Sequence, residues 1–380
     1  MMMIKYKRLN KNNKFNINSS AIIVLFSLVF LIIINHFEAN TQEFITTDLA
    51  EYYTHDELTI PILTYHKFCS GESPDAYTIN IDLFREQMDY LKDNDYRVIS
   101  ISQLLESIEN NFFPEKPVLI TIDDGYKSVY TLAFPILKEY GFPATLFLYT
   151  DYIANRDNQL SWSEIREMID MGMEIGSHSL SHSNLLNTKQ NESYLNYLTR
   201  IKKEIFLSKT ILERNTESTV NSFAYPYGVY SQEIIMLAKQ AGYKALLNVN
   251  NMNNSMPIDA YSLNRQVISS TCSLKQFQAI LQEKTLPVND IFPADGTITD
   301  NQGITIGAIL NSQNIEPGSL YFRLSGSGFL NYSYYPEQQK ISFTPLAPNL
   351  LQKRTWIAQI TARDVETGLQ RKVSWLFTIR

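Results

Sequence analysis

The sequence predicts an α/β protein in which a closed or nearly closed barrel of parallel strands is followed by a small all-β immunoglobulin-like sandwich. From Pro61 onward, short apolar runs alternate with longer amphipathic segments about seven times, a pattern typical of parallel strands joined by crossover helices. After about residue 290 the helical pattern ends, and apolar residues recur at every second position between turn-forming stretches. We therefore expect two folded parts of different classes.

The composition fits a globular protein with more than one core. Of the 380 residues, 44% are hydrophobic and 19% are charged. Lys and Arg number 33 against 39 Asp and Glu, and without the first forty residues the balance is 28 against 38. Because this remainder is clearly acidic, we expect no nucleic-acid partner.

Residues 1–40 have the composition of a signal peptide or membrane anchor. Five basic residues between positions 5 and 14 precede the apolar run Ala21–Ile34. No clean cleavage site follows, so an uncleaved anchor is an equal alternative to a cleaved signal. We expect an extracytoplasmic protein, secreted or held at a bacterial cell envelope by its N-terminus, with residues 41–60 as a tether. In that oxidising compartment Cys69 and Cys272 could pair, and the sequence leaves their pairing open.

The two folded parts are predicted at residues 61–285 and 290–380. In the second part, one face of the last two predicted strands carries Trp356, Ala358, Ile360 and Ala362, then Val373, Trp375, Phe377 and Ile379. In the first part, functional side chains are expected at the carboxyl ends of the strands, as in other barrels of this class. Motifs that follow predicted strands are therefore the candidates for a site.

The first candidate motif is LITIDDGY, in which an apolar strand leads directly into two carboxylates, Asp123 and Asp124. A buried strand does not end in two negative charges unless something compensates them. An exposed Asp-Gly turn is the alternative for this motif taken alone.

Two further motifs follow other predicted strands. In MEIGSHSLSHSNL, His178 and His182 are four residues apart. At that spacing two imidazoles can converge on one ion, and a carboxylate from a neighbouring strand would complete three protein ligands with an open position. In SFAYPYGVYS, Pro226 and Tyr227 form a rigid turn. Each motif could be purely structural when taken alone.

Together and in this order, TIDDG, HSLSH and AYPYG resemble the polysaccharide deacetylase family, the carbohydrate esterases with a NodB-type domain. The resemblance implies a distorted (β/α) barrel of NodB type that binds a divalent metal and removes N-acetyl groups from amino-sugar polymers. It implies Asp124, His178 and His182 as metal ligands. It also implies Asp123 as general base and the main-chain N–H of Tyr227 as an oxyanion donor. Zinc is the first expectation, with nickel, cobalt or iron as alternatives.

The sequence departs from the family at the residue that protonates the departing amine. Most members use a histidine near the end of the domain, and no histidine follows His182. In a closed barrel the first and last strands are neighbours, so His66, in PILTYHKF, can occupy the same space. This arrangement is similar to the branch that deacetylates poly-β-1,6-N-acetyl-D-glucosamine, in which the motifs are circularly permuted.

A second departure is Ala224, which replaces the arginine that usually opens the third motif. In the permuted branch an arginine on a late strand serves instead, and Arg265 in SLNRQVIS is the candidate, with a plain surface ion pair as an equal alternative. The remaining substrate contacts are expected from Tyr65, Pro226 and Tyr227, whose tyrosine rings could stack on sugars.

Three functional hypotheses follow. The main one is a metal-dependent N-deacetylase of extracellular poly-β-1,6-N-acetyl-D-glucosamine. The second keeps this chemistry but acts on peptidoglycan or chitin oligomers. The third is a non-catalytic glycan-binding surface protein, and the spare carboxylate of Asp123 argues against it, because a pure binder has no need for a base beside its metal.

Overall fold

The structure of the protein, a computed structural model, describes residues 58–154, 156–300, 304–311, 314–345, 351–352 and 354–380. The predicted signal or anchor at residues 1–40 and nearly all of the predicted tether lie outside this part of the chain. Among the residues described, no helix is both long enough and apolar enough to cross a membrane.

The α/β part is built on a curled parallel sheet, a half-barrel. The strands of this part are β1 (Thr59–Ile60), β2 (Ile62–Tyr65), β3 (Lys67–Cys69), β4 (Thr78–Asn80), β5 (Arg97–Val98), β6 (Pro117–Asp123), β7 (Thr145–Leu148), β8 (Glu174–Ser177), β9 (Ser222–Ala224), β10 (Ala245–Leu247), β11 (Asn254–Ser255) and β12 (Gln266–Val267). The sheet has the order β10-β9-β8-β7-β6-β2-β12, and β5 pairs with the start of β6. The predicted α/β class is therefore confirmed.

The two edges of this sheet approach each other. Its strands pair in parallel throughout, and a bridge between Leu247, at the end of β10, and Leu263, just before β12, joins the edges. Every residue of β6 is buried. Parallel strands that are covered on both faces have continuous apolar sequences. This explains why apolar and polar residues do not alternate along the strands of this sheet.

Helices cover the sheet and fill the intervals between its strands. They are α1 (Ile81–Asp93), α2 (Ile101–Asn110), α3 (Phe134–Tyr140), α4 (Trp162–Asp170), α5 (Tyr194–Lys202), α6 (Ser208–Thr216), α7 (Gln232–Gln240) and α8 (Leu274–Gln282). A π-helical turn, Lys203–Leu207, connects α5 to α6 without a break. Capping boxes begin α2, α4 and α8, where a serine and a Glu or Gln three residues later satisfy the free N–H groups of the first turn.

The C-terminal part is all-β, as predicted. Its strands are β13 (Lys284–Thr285), β14 (Val288–Phe292), β15 (Thr297–Thr299), β16 (Ile306–Leu310), β17 (Ile315–Leu324), β18 (Gly328–Phe329), β19 (Ser333–Tyr335), β20 (Lys340–Phe343), β21 (Thr355–Asp364) and β22 (Gln370–Ile379). One sheet has the order β13-β22-β21-β17-β18, with β15 also beside β22, and the other has the order β14-β16-β20-β19. Side chains from both sheets share one apolar core.

Strand β22 differs from the period-two prediction because both of its faces are buried. Trp375 and Phe377 lie in the sandwich core as expected, but the intervening Ser374, Leu376 and Thr378 are buried as well. Leu376 belongs to the core of the α/β part. The second face of β22 therefore packs against the α/β part, which a pattern read from one strand does not show.

The two cysteines do not pair. Both Cys69 and Cys272 are free thiols, and Cys272 is buried. The disulfide that the sequence left open is thus not formed in this structure.

Candidate active site

A cleft of ≈ 390 Å³ opens at the carboxyl ends of the parallel strands. Strand β6 ends at Asp123 and Asp124 follows it, and the segments after β2, β8 and β9 and before β12 supply the other predicted side chains. The predicted residues that line the cleft are His66, Asp123, Asp124, His178, His182, Tyr227 and Arg265. Side chains more than 100 positions apart in the sequence are thereby gathered at one place, as the barrel rule predicts.

Asp124, His178 and His182 form a cluster whose candidate ligand atoms all lie within 4.8 Å of one another. Nε2 of His182 lies 3.4 Å from Oδ1 of Asp124 and 3.2 Å from Nε2 of His178. Oδ1 of Asp124 is buried and accepts no hydrogen bond from the residues described. A divalent cation would satisfy this oxygen and both ring nitrogens together, so the three residues fit the predicted metal site.

The protonation of the cluster suits a metal ligand set. Nδ1 of His178 lies 2.8 Å from the carbonyl oxygen of Ala224, so with the proton on Nδ1 the Nε2 lone pair faces the cluster. Burial lowers the pKa of His178 to about 3 and keeps this ring neutral. Burial, reinforced by the charge of Asp123, raises the pKa of Asp124 to about 7. A cation would reverse that rise by stabilising the carboxylate.

The loop that carries His182 is fixed by a buried carboxylate that the sequence analysis missed. Glu204, in the π-helical turn after α5, accepts hydrogen bonds from the main-chain N–H groups of Leu180 and Ser181 at 3.1 and 2.9 Å. It also accepts one from the Ser181 hydroxyl at 2.7 Å, and the Ser179 hydroxyl accepts one from the His182 N–H at 3.0 Å. The position of Glu204 on the apolar side of its helix is the sequence signal that could have revealed it.

Asp123 and Arg265 form a buried ion pair. The guanidinium donates from both terminal nitrogens to the two carboxylate oxygens, at 2.7 and 2.9 Å, and its Nε donates to the carbonyl of Asn248 at 3.0 Å. Arg265 has no exposed surface, so the surface ion pair that the sequence left open is wrong. Burial alone would raise the pKa of Asp123, but the positive charge of Arg265 and its hydrogen bonds to the carboxylate lower it to about 2.

His66 lies in the same cleft as the aspartates. Its ring is 5.1 Å from that of Tyr77, and its Nδ1 is buried and unpaired among the residues described. Burial lowers the pKa of His66, and the negative charge of Asp123 partly opposes this effect. A buried ring nitrogen without a partner normally indicates an interaction that the protein alone does not supply.

Tyr227 occupies a tight turn at the rim of the cleft. Its main chain is left-handed, with φ at 59°, and its side chain is 61% exposed. The ring lies 4.7 Å from that of His182, where a sugar could contact it. Gly228 follows with φ at 68°, and a Cβ there would lie 2.0 Å from Cγ2 of Val249 and 2.9 Å from its nitrogen. The turn therefore requires glycine at this position.

Two predicted substrate contacts are corrected by the structure. Tyr65 has no exposed surface, and its hydroxyl donates to Oε1 of Gln87 at 2.8 Å, because alternate side chains of β2 face the helical layer. Pro226 is also buried, and its carbonyl accepts the N–H of Val229 at 3.3 Å, so it shapes the turn instead of facing the cleft.

Further aromatic and cationic side chains line the cleft that were not predicted. They include Tyr77, Tyr126 and Lys67, whose ammonium lies 4.6 Å from the centre of the Tyr126 ring. Lys67 directly follows His66 in the sequence, and this adjacency is the sequence signal that could have placed Lys67 at the cleft. These residues can contact a sugar through stacking and through hydrogen bonds to hydroxyl groups.

Comparison with known proteins agrees with this geometry. The family model described as polysaccharide deacetylase matches residues 110–246, which include both aspartates and both metal-site histidines. YxkH of Bacillus subtilis (strain 168), named as a candidate polysaccharide deacetylase, is 30% identical over 59% of this chain and 76% of its own length. The poly-beta-1,6-N-acetyl-D-glucosamine N-deacetylase of Staphylococcus aureus (strain MRSA252) is 29% identical over 47% of this chain and 63% of its own length.

Solved structures share the fold of the α/β part. The Streptococcus pyogenes deacetylase PplD, in complex with acetate, superposes with a TM-score of 0.54 at 26% identity, over 59% of this chain and 99% of its own. IcaB from Ammonifex degensii superposes with a TM-score of 0.52 at 22% identity, over 59% of this chain and 97% of its own. With the motifs, the site and the relatives in agreement, the chain belongs to the polysaccharide deacetylase family of amide-hydrolysing enzymes.

Proposed function

We propose that the protein is a metal-dependent N-deacetylase of an N-acetylglucosamine polymer, with poly-β-1,6-N-acetyl-D-glucosamine as the preferred substrate. The observation that carries the proposal is the position of His66, which follows β2 and lines the same cleft as Asp123 and the metal-site cluster. The resemblance of the motifs to the permuted branch and the 29% identical S. aureus enzyme support this choice of polymer.

Asp124, His178 and His182 would hold the metal, which when bound supplies Lewis acidity that acidifies water and polarises the acetyl carbonyl. Zinc is the first expectation, and nickel, cobalt and iron remain alternatives for a site of two histidines and one aspartate.

Asp123 is the proposed general base. Its carboxylate is ionised at neutral pH, since its pKa is held to about 2, and Arg265 fixes its orientation. Asp123 would remove the proton of the attacking water. Each carboxylate oxygen keeps a second lone pair beyond its bond to Arg265, and Oδ2 of Asp123 lies 3.7 Å from Nε2 of His178, so the proposed base stays close to the metal-site cluster.

His66 is the proposed general acid. Its imidazole is neutral in the resting protein because burial lowers its pKa. Negative charge developing on the acetyl oxygen would favour the protonated form, so His66 would take up the proton that Asp123 removes from water and pass it to the amine. Proton donation to the amine allows an otherwise poor leaving group to depart. The main-chain N–H of Tyr227 is proposed to stabilise the oxyanion.

The cellular setting is likewise proposed. The basic and apolar character of residues 1–40 supports export, with the N-terminus as a signal or as an anchor in the cell envelope. For the C-terminal part, an immunoglobulin-like topology is our working class for the two-sheet architecture.

The test measures free amine released from a β-1,6-linked N-acetylglucosamine oligomer by the purified protein. We expect release that a chelator abolishes and that zinc restores. Chitin oligomers and peptidoglycan are assayed in parallel, and faster release from either would replace the proposed polymer. An oligomer that is bound but never deacetylated, with the metal present, would instead favour the glycan-binding hypothesis.

A further inference from the structure

We infer that the C-terminal all-β part is a component of the catalytic centre, because it holds the loop that positions Arg265, with Tyr230 and Asp295 as the positioning residues. The inference rests on the proposed function only for its effect on turnover. The loop in question, Asn248–Asn254, follows β10 and contains five asparagines in seven residues. We call it the asparagine loop.

On one side, the asparagine loop binds Arg265 directly. The carbonyl of Asn248 accepts from Nε of Arg265 at 3.0 Å, and the N–H of Asn251 donates to the main-chain carbonyl of Arg265 at 3.1 Å. The neighbouring Asn264 donates its N–H to Oδ1 of Asn254 at 2.8 Å. Both the guanidinium and the main chain of Arg265 are thus placed by this loop.

On its other side, the asparagine loop is connected to the all-β part through Tyr230, which lies between β9 and α7 of the α/β part. Nδ2 of Asn250 donates to the hydroxyl of Tyr230 at 3.3 Å, and this hydroxyl donates to Oδ2 of Asp295 at 2.5 Å. Oδ1 of Asp295 accepts the N–H of Leu376, in β22, at 2.9 Å. Tyr230 is 2% exposed, so water does not readily replace these bonds.

A second connection reaches the residue after Arg265. Nε2 of Gln266 donates to Oδ1 of Asn253 at 3.1 Å and to Oε1 of Glu283 at 2.8 Å. The other oxygen of Glu283 pairs with the ammonium of Lys372, in β22, at 2.6 Å. Arg265 is therefore flanked by two buried polar connections to the same strand.

In a buried hydrogen-bonded chain the position of each group depends on its neighbours, because leaving any buried polar group unpaired costs free energy. Two folded parts can be joined by apolar contact alone. A hydrogen-bonded chain that ends at Arg265, the partner of Asp123, is not needed for that purpose. The chain Asp123–Arg265–Asn248–Asn250–Tyr230–Asp295 instead links the proposed base to β22.

The test replaces Tyr230 by phenylalanine in the full chain, which removes the hydroxyl and keeps the ring. The matched control is Tyr332→Phe, since the Tyr332 hydroxyl donates to the carbonyl of Leu320 within the all-β part, away from the chain. We expect Tyr230→Phe to lower kcat on the oligomer about tenfold with KM and bound metal unchanged, and Tyr332→Phe to leave kcat unchanged.

A second readout does not depend on activity. Amide hydrogen exchange should become at least about tenfold faster across the asparagine loop and Arg265 in Tyr230→Phe, and not in Tyr332→Phe. Unchanged exchange, or an equal change in both variants, overturns the inference. If the wild-type protein deacetylates nothing but this exchange response is present, the proposed function fails while the positioning of Arg265 stands. Asp295→Asn, which keeps an acceptor for Leu376, should retain more activity than Asp295→Ala.

Discussion

Arg265 and Asp123 are joined by two parallel hydrogen bonds of 2.7 and 2.9 Å in a site from which both side chains are hidden from water. A buried carboxylate would normally take up a proton, but the guanidinium keeps the pKa of Asp123 at about 2. The fork of Arg265 also fixes the plane of the carboxylate. The arginine thus determines both the charge and the direction of the proposed base.

We predict that Arg265→Lys lowers turnover by about ten- to a hundredfold with the bound metal retained, because lysine keeps the charge but not the two-pronged geometry. Arg265→Gln should in addition lower the free energy of unfolding by about 3 to 5 kcal/mol, since it leaves a buried carboxylate unpaired. Turnover, metal content and denaturant unfolding are the measurements.

Arg371→Lys is the matched control for Arg265→Lys. Arg371 also binds an aspartate, Asp364, through Nε at 2.6 Å, but in the all-β part and with its side chain partly exposed. This variant should leave turnover unchanged. Wild-type turnover in Arg265→Lys would show that the orientation of Asp123 does not matter for the reaction.

We predict that His66→Ala loses turnover by about a hundred- to ten-thousandfold while binding metal normally, the range expected for removal of a general acid. His66 is not in the cluster of candidate ligand atoms, so metal content should not change. His182→Ala is the comparison, since it should lose metal and turnover together. Near-normal turnover in His66→Ala would remove His66 from the mechanism.

The metal-site cluster could be predicted from the sequence because short-range rules fix it. Asp123 ends a strand and Asp124 follows it, while His178 and His182 follow another strand at a spacing that brings their rings together. In a parallel sheet the carboxyl ends of all strands share one edge, so β6 and β8, with only β7 between them, can assemble the site.

The surroundings of the cluster could not be predicted, because they depend on contacts between distant segments. Arg265 faces Asp123 and not solvent because it forms an ion pair with a residue 142 positions away in the sequence. Tyr65 was misplaced because the direction of a side chain on a four-residue strand depends on which layer covers each face. The burial of both faces of β22 likewise follows from its packing on another part of the chain.

We predict that metal binding releases protons from Asp124. Its pKa in the metal-free protein is about 7, while the ligand form is the carboxylate, so roughly half a proton should leave per ion bound at pH 7. Below that pH the acid form predominates, so affinity should fall as pH falls, by up to about tenfold per unit. Calorimetry in two buffers of different ionisation enthalpy measures the released protons.

Asp123→Asn is the control for this proton release. Burial is the main cause of the raised pKa of Asp124, and the charge of Asp123 is the next. Removal of that charge should lower the pKa of Asp124 and reduce the protons released at pH 7. Equal release by both proteins would show that the two aspartates do not interact.

Gly228 and Gly242 form a matched pair that separates backbone strain from steric conflict. Both are left-handed, with φ at 68° and 84°, but a Cβ at Gly228 would lie 2.0 Å from Cγ2 of Val249, whereas none of the described atoms lies within 4 Å of a Cβ at Gly242. We expect Gly242→Ala to lower the free energy of unfolding by about 1 to 2 kcal/mol through strain alone. Gly228→Ala should cost about 1 to 3 kcal/mol more and lower turnover, because the turn that carries Tyr227 must move. Denaturant unfolding and turnover of the two variants are compared, and equal losses in both would mean that Val249 yields without cost.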